Sequence, residues 1–421
     1  MPASAQPVFR DLPFMGVIHV NNEAAKVGYR MGDPAWSNLG QGQPEIGEIP
    51  GAPARYNRID LEPSDHGYGP VEGLPELREA VAEHYNRLFR RGHSSRYTAE
   101  NVAVAAGGRL ALSRCGSALD KRRLGYFTPD YTAYEDLITT FDRIAPTHIE
   151  LRAENGFRID PAELDRRVER DRLDALLISN PCNPTGVVVE GPELGAWAAL
   201  SRRRGCTLFM DEFYSHYVYR NGRPADAPVS IAAHVEDVNR DSVVIFDGLT
   251  KCYRYPGWRV GWIVAPRDAI RTITAAGSFL DGGPGRPIQR AARDVLAPTR
   301  ADQETNAMRA HFAGKHAITI TRLRELGVVF PAEKAPVQGT FYAWGSVAAL
   351  PGPLSTGMGF MREAFKHRVL TVPGEFFDVN PGRARRGPSP LASFVRFSFG
   401  PPKPNLEAGL DRLAEMVRAA R

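Results

Sequence analysis

The sequence predicts an α/β fold in which helices cover both faces of a mostly parallel sheet. Apolar runs of strand length recur along the first two thirds of the chain, and amphipathic segments lie between them. With 421 residues and 43% hydrophobic content, the chain exceeds the usual size of one domain. We therefore expect two domains, the larger of which contains the sheet.

The predicted strands of the large sheet are short and almost wholly apolar. They cover residues 102–106, 124–127, 175–178, 207–210, 243–246 and 260–264. The segments between them begin with proline or acidic residues, which suit the first turn of a helix, at 75–89, 161–169 and 193–204. Strands that alternate with helices are typical of a parallel sheet.

The pattern changes towards the C-terminus. Residues 289–326 have a helical period, and three later runs have the apolar content of strands in a second, smaller layer: 340–344, 369–372 and 394–399. We predict an N-terminal arm over residues 1–50 that joins the small domain, a large domain over 51–310, and a small α+β domain over 311–421.

Charge and cysteine content narrow the function classes. The net charge is +5 and the pI about 9.0, but the arginines are scattered, so nucleic-acid binding is the weaker interpretation. Cys115, Cys182, Cys206 and Cys252 lack the spacing of a metal site or disulfide framework, which favours a reducing cytoplasm. No apolar stretch reaches about 18 residues and no signal-peptide pattern is seen, so we expect neither membrane insertion nor export.

Lys251 is a candidate Schiff-base residue. It follows the apolar run 243–246, and the chain contains only six other lysines, so solubility is a poor explanation for its presence. A partly desolvated lysine loses its proton readily and then forms an imine with an aldehyde. Arginine cannot do this because its guanidinium stays protonated.

Asn183 lies in the segment Asn-Pro-Cys-Asn-Pro-Thr-Gly at 180–186, directly after the predicted strand 175–178. The two Asn-Pro pairs enforce a turn and hold Asn183 as a rigid amide. Open α/β sheets bind ligands at the carboxyl ends of their strands, where this turn falls. A surface turn is the usual role of an isolated Asn-Pro pair.

Asp211 ends the predicted strand 207–210. Burial at such a position raises the pKa of a carboxylate unless a cation compensates, and a protonated pyridine nitrogen is a suitable cation. A helix cap at the strand exit explains this aspartate equally well.

Two further motifs suit anions. Gly108 and Arg109 precede a helical segment at 110–119, and backbone amides at a helix N-terminus bind phosphate, although a Gly-Gly turn alone is weak evidence. Arg396 alternates with apolar neighbours in the run 394–399, where its bidentate guanidinium suits a carboxylate. A structural ion pair is the alternative for Arg396.

Taken together and in this order, these residues resemble the fold type I pyridoxal-phosphate enzymes, specifically the class I/II aminotransferase superfamily. Six positions match in register, with a tyrosine three residues after Asp211 and an arginine eight residues after Lys251: Asn183, Asp211, Tyr214, Lys251, Arg259 and Arg396. The resemblance implies a large domain with a seven-stranded sheet that binds pyridoxal 5′-phosphate, and a smaller domain beside it.

The resemblance implies three catalytic residues. Lys251 would form an aldimine with the cofactor and later move a proton between the substrate α carbon and the cofactor C4′. Asp211 would keep the pyridine nitrogen protonated. Tyr214, together with Asn183, would bond the phenolic oxygen of the cofactor.

The resemblance also implies further residues that bind the cofactor and the substrate. Gly108, Arg109 and Arg259 would bind the cofactor phosphate, and Thr250 would be a further cofactor contact. Arg396 would bind the substrate α-carboxylate, Gly42 belongs to the loop that would cover it, and Asn183 would also contact the substrate. Tyr131 resembles the aromatic residue that stacks on the cofactor ring, with helix-start packing as the alternative. Tyr68 resembles the tyrosine that reaches the phosphate of a neighbouring subunit, which implies a homodimer with shared active sites.

The sequence departs from the family pattern in one place. The family commonly has a serine three residues before the lysine, where this chain has Gly248. Our hypothesis is that Arg254, three residues after Lys251, replaces the missing phosphate contact. The predicted loop 380–390 carries Arg383, Arg385 and Arg386, which could bring positive charge to the entrance of the site, although most such loops are merely solvated.

Three functions follow from these observations. The first is transamination of an α-amino acid. The second uses the same residues for elimination, replacement or ring closure, as in the branch that includes aminocyclopropanecarboxylate synthases acting on S-adenosylmethionine. The third is a ligand-sensing domain without catalysis, which the retained Lys251 disfavours. Sequence does not separate the first two, because pocket shape decides which bond of the substrate breaks.

Overall fold

The computed structural model describes residues 14–332, 335 and 337–421, so the first 13 residues of the predicted N-terminal arm lie outside the described part. The helices of the described part are α1 (Gly16–Lys26), α2 (Pro75–Phe89), α3 (Gly108–Ala118), α4 (Ala133–Thr140), α5 (Pro161–Arg170), α6 (Gly191–Arg204), α7 (Arg267–Leu280), α8 (Arg286–Val295), α9 (Pro298–Glu325), α10 (Gly357–Lys366) and α11 (Lys403–Ala419).

The strands of the described part are β1 (Ser37–Asn38), β2 (Val102–Ala105), β3 (Arg122–Thr128), β4 (Ile144–Glu150), β5 (Ala175–Ser179), β6 (Thr207–Asp211), β7 (Val218–Arg220), β8 (Arg223–Pro224), β9 (Val243–Gly248), β10 (Gly261–Val264), β11 (Val337–Gly339), β12 (Tyr342–Ser346), β13 (Val369–Leu370), β14 (Val372–Pro373) and β15 (Phe394–Ser398). All six strands predicted for the large sheet are present.

Seven strands form the large sheet, in the spatial order β2, β10, β9, β6, β5, β3, β4. The pairs from β9 to β4 are parallel, whereas β10 runs antiparallel to both β2 and β9. The predicted α/β class and mostly parallel sheet are confirmed. The sequence did not reveal β4, because this edge strand contains a proline and several polar residues.

A smaller antiparallel sheet contains β12, β14 and β15 and lies in the C-terminal third of the chain. β1 pairs in parallel with β13, which attaches the N-terminal segment to that third. The helical run predicted over 289–326 is present as α8 and α9. The domain boundary predicted near residue 310 falls inside α9 and remains a prediction.

The order of the strands decides which polar segments meet. β5, β6 and β9 are parallel neighbours, so their carboxyl ends lie side by side at one edge of the sheet. Asn183 and Lys251 lie in the segments that follow β5 and β9, and Asp211 is the last residue of β6. The fold therefore brings together three residues that are far apart in the chain.

The described residues contain neither a membrane-spanning helix nor a cluster of metal-ligating side chains. Within them, no helix combines the length and the apolar character needed to cross a membrane. The same part of the chain contains no group of three or more histidine, cysteine, aspartate or glutamate side chains placed to hold a metal ion.

Candidate active site

Lys251 lies just beyond β9, and its amine donates a hydrogen bond to the carbonyl oxygen of Gly42. Burial is the largest cause that lowers the pKa of this lysine, the guanidinium of Arg396 acts in the same direction and Asp211 acts against both, which leaves the pKa at about 7. Arg109 and Arg259 add smaller contributions in the same direction as Arg396. A large fraction of Lys251 is therefore a neutral amine near pH 7, as a nucleophile requires.

Asp211 is buried at the end of β6, where its side chain is 5% exposed. The hydroxyl of Tyr134, from α4, donates a hydrogen bond of 2.8 Å to its Oδ2, and the amide of Phe213 lies 3.4 Å from its Oδ1. Burial raises the pKa of Asp211 to about 6, and both hydrogen bonds act against that rise. Among the described residues, the carboxylate has no cationic hydrogen-bond partner, which a protonated ring nitrogen would supply.

Arg396 is 2% exposed and extends from β15 towards the turn at Asn183. Its Nη1 donates to Asn183 Oδ1 at 2.9 Å, and its Nη2 donates to the carbonyl oxygen of Gly40 at 2.9 Å. Its Nε is buried and has no hydrogen-bond partner in the part of the chain that the structure describes. The ion-pair alternative for Arg396 finds no support, because both of these partners are uncharged. The guanidinium is held beside the site with capacity for an anion.

Tyr214 faces Tyr342, a residue that the sequence pattern did not indicate. Its hydroxyl lies 2.9 Å from the hydroxyl of Tyr342, from β12, and the Arg396 guanidinium lies 4.0 Å from the centre of the Tyr342 ring. Burial raises the pKa of Tyr214 well above its usual value, so the phenol is protonated and able to donate a hydrogen bond. Tyr342 is a further candidate for substrate contact.

At the predicted phosphate site, at the start of α3, the Arg259 side chain lies close to the backbone of Gly107. Gly107 has a φ of 94°, and a Cβ added there would overlap the Arg259 guanidinium, with its Cζ only 2.7 Å away. Arg259 therefore lies directly over the turn that opens the helix, beside the amides of Gly108 and Arg109. Thr250 Oγ1 is buried and has no hydrogen-bond partner among the described residues.

Gly248 shows why the serine of the family pattern is missing. It pairs with Gly261 across β9 and β10. A Cβ added at Gly248 would lie 2.7 Å from the Cα of Gly261 and would overlap the carbonyl oxygen of Val260. The close approach of these two strands excludes any side chain at this position.

Arg254, the predicted replacement for the missing serine contact, takes part in a buried ion pair. It has a φ of 59° and is fully buried. Its Nε pairs with Glu304 at 2.6 Å, and its Nη1 donates to the carbonyl oxygens of Glu45 and Gly47. This arrangement gives no support to the hypothesis that Arg254 replaces the missing serine.

Arg109 and Tyr131 contact each other, since Arg109 Nε donates to the Tyr131 hydroxyl at 3.0 Å. Tyr131 also packs edge-on against Tyr134, with ring centres 5.4 Å apart. The predicted ring-stacking residue therefore adjoins both the phosphate turn and the partner of Asp211.

Two other predicted positions lie at the surface. Tyr68 is fully exposed in a loop, which a contact with a second subunit would explain. In the loop 380–390, Arg385 forms a salt bridge of 2.7 Å with Asp378 and donates to the carbonyl oxygen of Val379. Arg385 therefore stabilises its own loop, whereas Arg383 and Arg386 are exposed.

A family profile and two known proteins match most of this chain in sequence. The profile of the family described as aminotransferase class I and II matches residues 34–413. An aspartate aminotransferase of Pyrococcus abyssi is 27% identical over 389 residues, covering 90% of this chain and 91% of that protein. A valine-pyruvate aminotransferase of Mycobacterium tuberculosis is 28% identical over 388 residues, covering 90% of each chain.

Solved structures agree with the fold. An aminotransferase structure from Mycobacterium tuberculosis has a TM-score of 0.77 at 24% identity and covers 99% of this chain and 100% of that one. A Thermus thermophilus aspartate aminotransferase with maleate has a TM-score of 0.76 at 22% identity and covers 97% of this chain and 100% of that one. Because this family profile matches most of its length, the chain belongs to the aminotransferase class I and II family.

Proposed function

We propose that the protein is a pyridoxal-phosphate-dependent aminotransferase that acts on an α-amino acid. The observation that carries this proposal is Lys251, which follows β9, donates to the carbonyl oxygen of Gly42 and has a pKa lowered to about 7 within the fields of Arg396 and Asp211. A neutral amine beside one carboxylate and three guanidiniums suits a ligand with both an aldehyde and anionic groups. The names of the relatives agree with this assignment.

The residues present fit the cofactor at three points. The unpartnered hydroxyl of Thr250, the amides at the start of α3 and the guanidinium of Arg259 would hold the phosphate. Asp211 would bind the protonated ring nitrogen, and Tyr131 would stack on the ring. When bound, pyridoxal phosphate supplies an aldehyde that captures amines and a ring that withdraws electrons from the substrate α carbon.

Each catalytic side chain then has a defined task. Lys251 would hold the cofactor through its neutral amine and, once free, would accept the proton of the substrate α carbon. Asp211 would keep the proton on the ring nitrogen of the cofactor. Tyr214 donates a hydrogen bond from its protonated phenol, and Asn183 adds an amide donor beside it.

The residues around Arg396 would form the site for the substrate carboxylate. Arg396 would bind it with the bidentate guanidinium, and the carbonyl oxygens that now accept from Arg396 and Lys251 lie in the segment from Gly40 to Gly42. Binding of the carboxylate would compete with the bond between Arg396 and Asn183, so this segment and the Asn183 turn would adjust together.

The test of this proposal is chemical. Purified protein is titrated with pyridoxal phosphate while the visible absorbance is followed, and is then incubated with a panel of α-amino acids, 2-oxo acid acceptors and S-adenosylmethionine. Mass analysis of the products should show a 2-oxo acid made from the amino donor. A product that has lost or joined part of its side chain would assign the same residues to elimination, replacement or ring closure instead.

Two variants make the assignment specific. Lys251→Ala should abolish the absorbance of the bound cofactor and the reaction. Lys26→Ala is the matched control, since Lys26 is exposed and would capture an aldehyde only adventitiously. Wild-type behaviour of Lys251→Ala would overturn the proposal.

A homodimer with shared sites and a cytoplasmic location also belong to the proposal. The fully exposed Tyr68 suits a site completed by a second copy, and the four cysteines of the chain are free and buried, which suits a reducing compartment. Sedimentation of the purified protein should give twice the mass of the chain, and Tyr68→Phe should weaken cofactor binding without changing that mass.

A further inference from the structure

Asp130 is a buried carboxylate to which the proposed mechanism gives no task. It lies between β3 and α4, is 0% exposed, and burial raises its pKa to about 8. Three donors converge on it: the amide of Tyr131 at 2.7 Å, the hydroxyl of Ser179 at 2.5 Å and the amide of Ser179 at 3.2 Å. Its two oxygens therefore both serve as acceptors, which favours the ionised form against burial.

The contacts of Asp130 continue to the carboxylate site. Ser179 Oγ accepts from the amide of Asn183 at 3.1 Å, and Asn183 Oδ1 accepts from Arg396 at 2.9 Å. The hydroxyl of Ser179 thus links Asp130 to the turn that holds Arg396.

A second set of contacts, through Phe377, connects Arg396 to Asp130. The Arg396 guanidinium lies 4.9 Å from the centre of the Phe377 ring, and the carbonyl oxygen of Phe377 accepts from the amide of Asp130 at 3.1 Å. The contacts form a closed ring that joins the strand ends of the large sheet to the C-terminal third of the chain.

We infer that Asp130 is a positioning residue that sets the spacing between the cofactor-facing side chains and the carboxylate-binding guanidinium of Arg396. Asp130 accepts directly from the amide of Tyr131, and it holds Asn183 by way of the Ser179 hydroxyl. Both of these residues would contact the cofactor. The amide of Asp130 donates to Phe377, whose ring packs on Arg396. This inference rests on the proposed function. A purely structural carboxylate would affect stability but not the balance between cofactor and substrate binding.

The test uses the cofactor-loaded protein. The rate of change of the cofactor absorbance is measured against the concentration of the fastest-reacting amino acid of the panel, which gives KM and kcat, and cofactor affinity is measured separately. Asp130→Ala should raise KM about tenfold or more while cofactor affinity changes less than about threefold, because the spacing of the carboxylate site is lost. Asp130→Asn should show a smaller rise, since its Oδ1 still accepts from the Tyr131 amide and the Ser179 hydroxyl, and its NH₂ group loses only the contact with the Ser179 amide.

Two further variants keep the test decisive. Ser179→Ala removes only the hydroxyl that links Asp130 to Asn183, and it should raise KM even if Asp130→Ala fails to fold. Asp241→Asn is the matched control, because Asp241 is also buried and accepts from an amide and from Arg202 without contacting the site. An unchanged KM in Ser179→Ala, or an equal rise in Asp241→Asn, would overturn the inference.

Crystal structures separate this inference from the proposed function. If no amino acid of the panel reacts, the proposed function fails, but the ring of contacts is still testable. The bond between Arg396 and Asn183 should be absent in the Asp130→Ala structure and retained in the Asp241→Asn structure. An Arg396 that stays in place in both variants would refute a positioning role.

Discussion

The Tyr134 hydroxyl donates a 2.8 Å hydrogen bond to Oδ2 of Asp211. The bond favours the ionised carboxylate, while burial raises the pKa of Asp211 to about 6. The ionised form is the one that would hold a protonated ring nitrogen, so a phenol in α4 adjusts the charge beneath the candidate site.

Tyr134→Phe should therefore weaken cofactor binding. Loss of a hydrogen bond to a charged group raises the pKa of Asp211 further, and we expect cofactor affinity to fall about tenfold near pH 7. The defect should shrink at higher pH, because Asp211 becomes ionised there even without its partner. Absorbance titration with pyridoxal phosphate at two pH values measures both effects.

The control for this variant is Tyr219→Phe, which removes another buried hydroxyl that donates to a carbonyl oxygen, that of Thr340. It should leave cofactor affinity unchanged. A defect in Tyr134→Phe that grew with pH would contradict the assigned role.

Lys251 should make cofactor capture pH-dependent. Burial and the nearby guanidiniums place the pKa of Lys251 at about 7, below its ordinary value, so the amine is protonated below that pH and neutral above it. Only the neutral amine attacks an aldehyde, so the rate of capture should rise with pH, reach half its maximum near pH 7 and then level off. Stopped-flow absorbance after mixing with pyridoxal phosphate measures this rate.

A free lysine derivative mixed with the same cofactor is the reference, and its capture rate should keep rising up to about pH 10. A protein profile that matched the free amine would show that the site does not lower the pKa of Lys251.

The strand ends of the large sheet were predictable from sequence, whereas their partners were not. Asp211 and Lys251 follow short apolar runs, and local pattern places such residues at the carboxyl edge of a sheet. Tyr134 and Tyr342 were not identified, because they meet Asp211 and Tyr214 across 77 and 128 residues of chain. Which distant side chain fills a site depends on tertiary packing, which has no local signal.

The interpretation of Arg254 illustrates a different limit. Its spacing of three residues from Lys251 suggested that both side chains face the same ligand. The backbone at Arg254 has a φ of 59°, in the left-handed region, which redirects the side chain into the interior towards Glu304. Spacing predicts direction only while the backbone stays regular.

Gly248→Ser should destabilise the protein and should not improve phosphate binding. The added Cβ would lie 2.7 Å from the Cα of Gly261, which forces β9 and β10 apart. We expect a loss of about 1–3 kcal/mol in the free energy of unfolding, measured by urea denaturation. Gly257→Ser is the control, since no atom lies within 4 Å of a Cβ at that position. Tighter cofactor binding by a fully stable Gly248→Ser protein would refute the steric explanation.

Arg254→Met should lower stability through the loss of a buried ion pair. Arg254 and Glu304 have side chains 0% and 3% exposed and lie 2.6 Å apart, and Arg55 lies 3.3 Å from the same carboxylate oxygen. Removal of one partner of a buried pair costs about 3–5 kcal/mol when the other charge is left unpaired, and we expect a loss at or below the lower end of that range because Arg55 still faces Glu304. Urea denaturation should give a similar loss for Glu304→Gln, which leaves the guanidinium in place.

The same variants test whether Arg254 binds the phosphate. If its role is the ion pair, Arg254→Met and Glu304→Gln should bind pyridoxal phosphate and pyridoxal in the same ratio as the wild-type protein does. A phosphate contact would instead lower the affinity for pyridoxal phosphate in Arg254→Met alone, with no change for pyridoxal. Because the guanidinium already bonds to Glu304 and to two carbonyl oxygens, we expect the ratio to be unchanged.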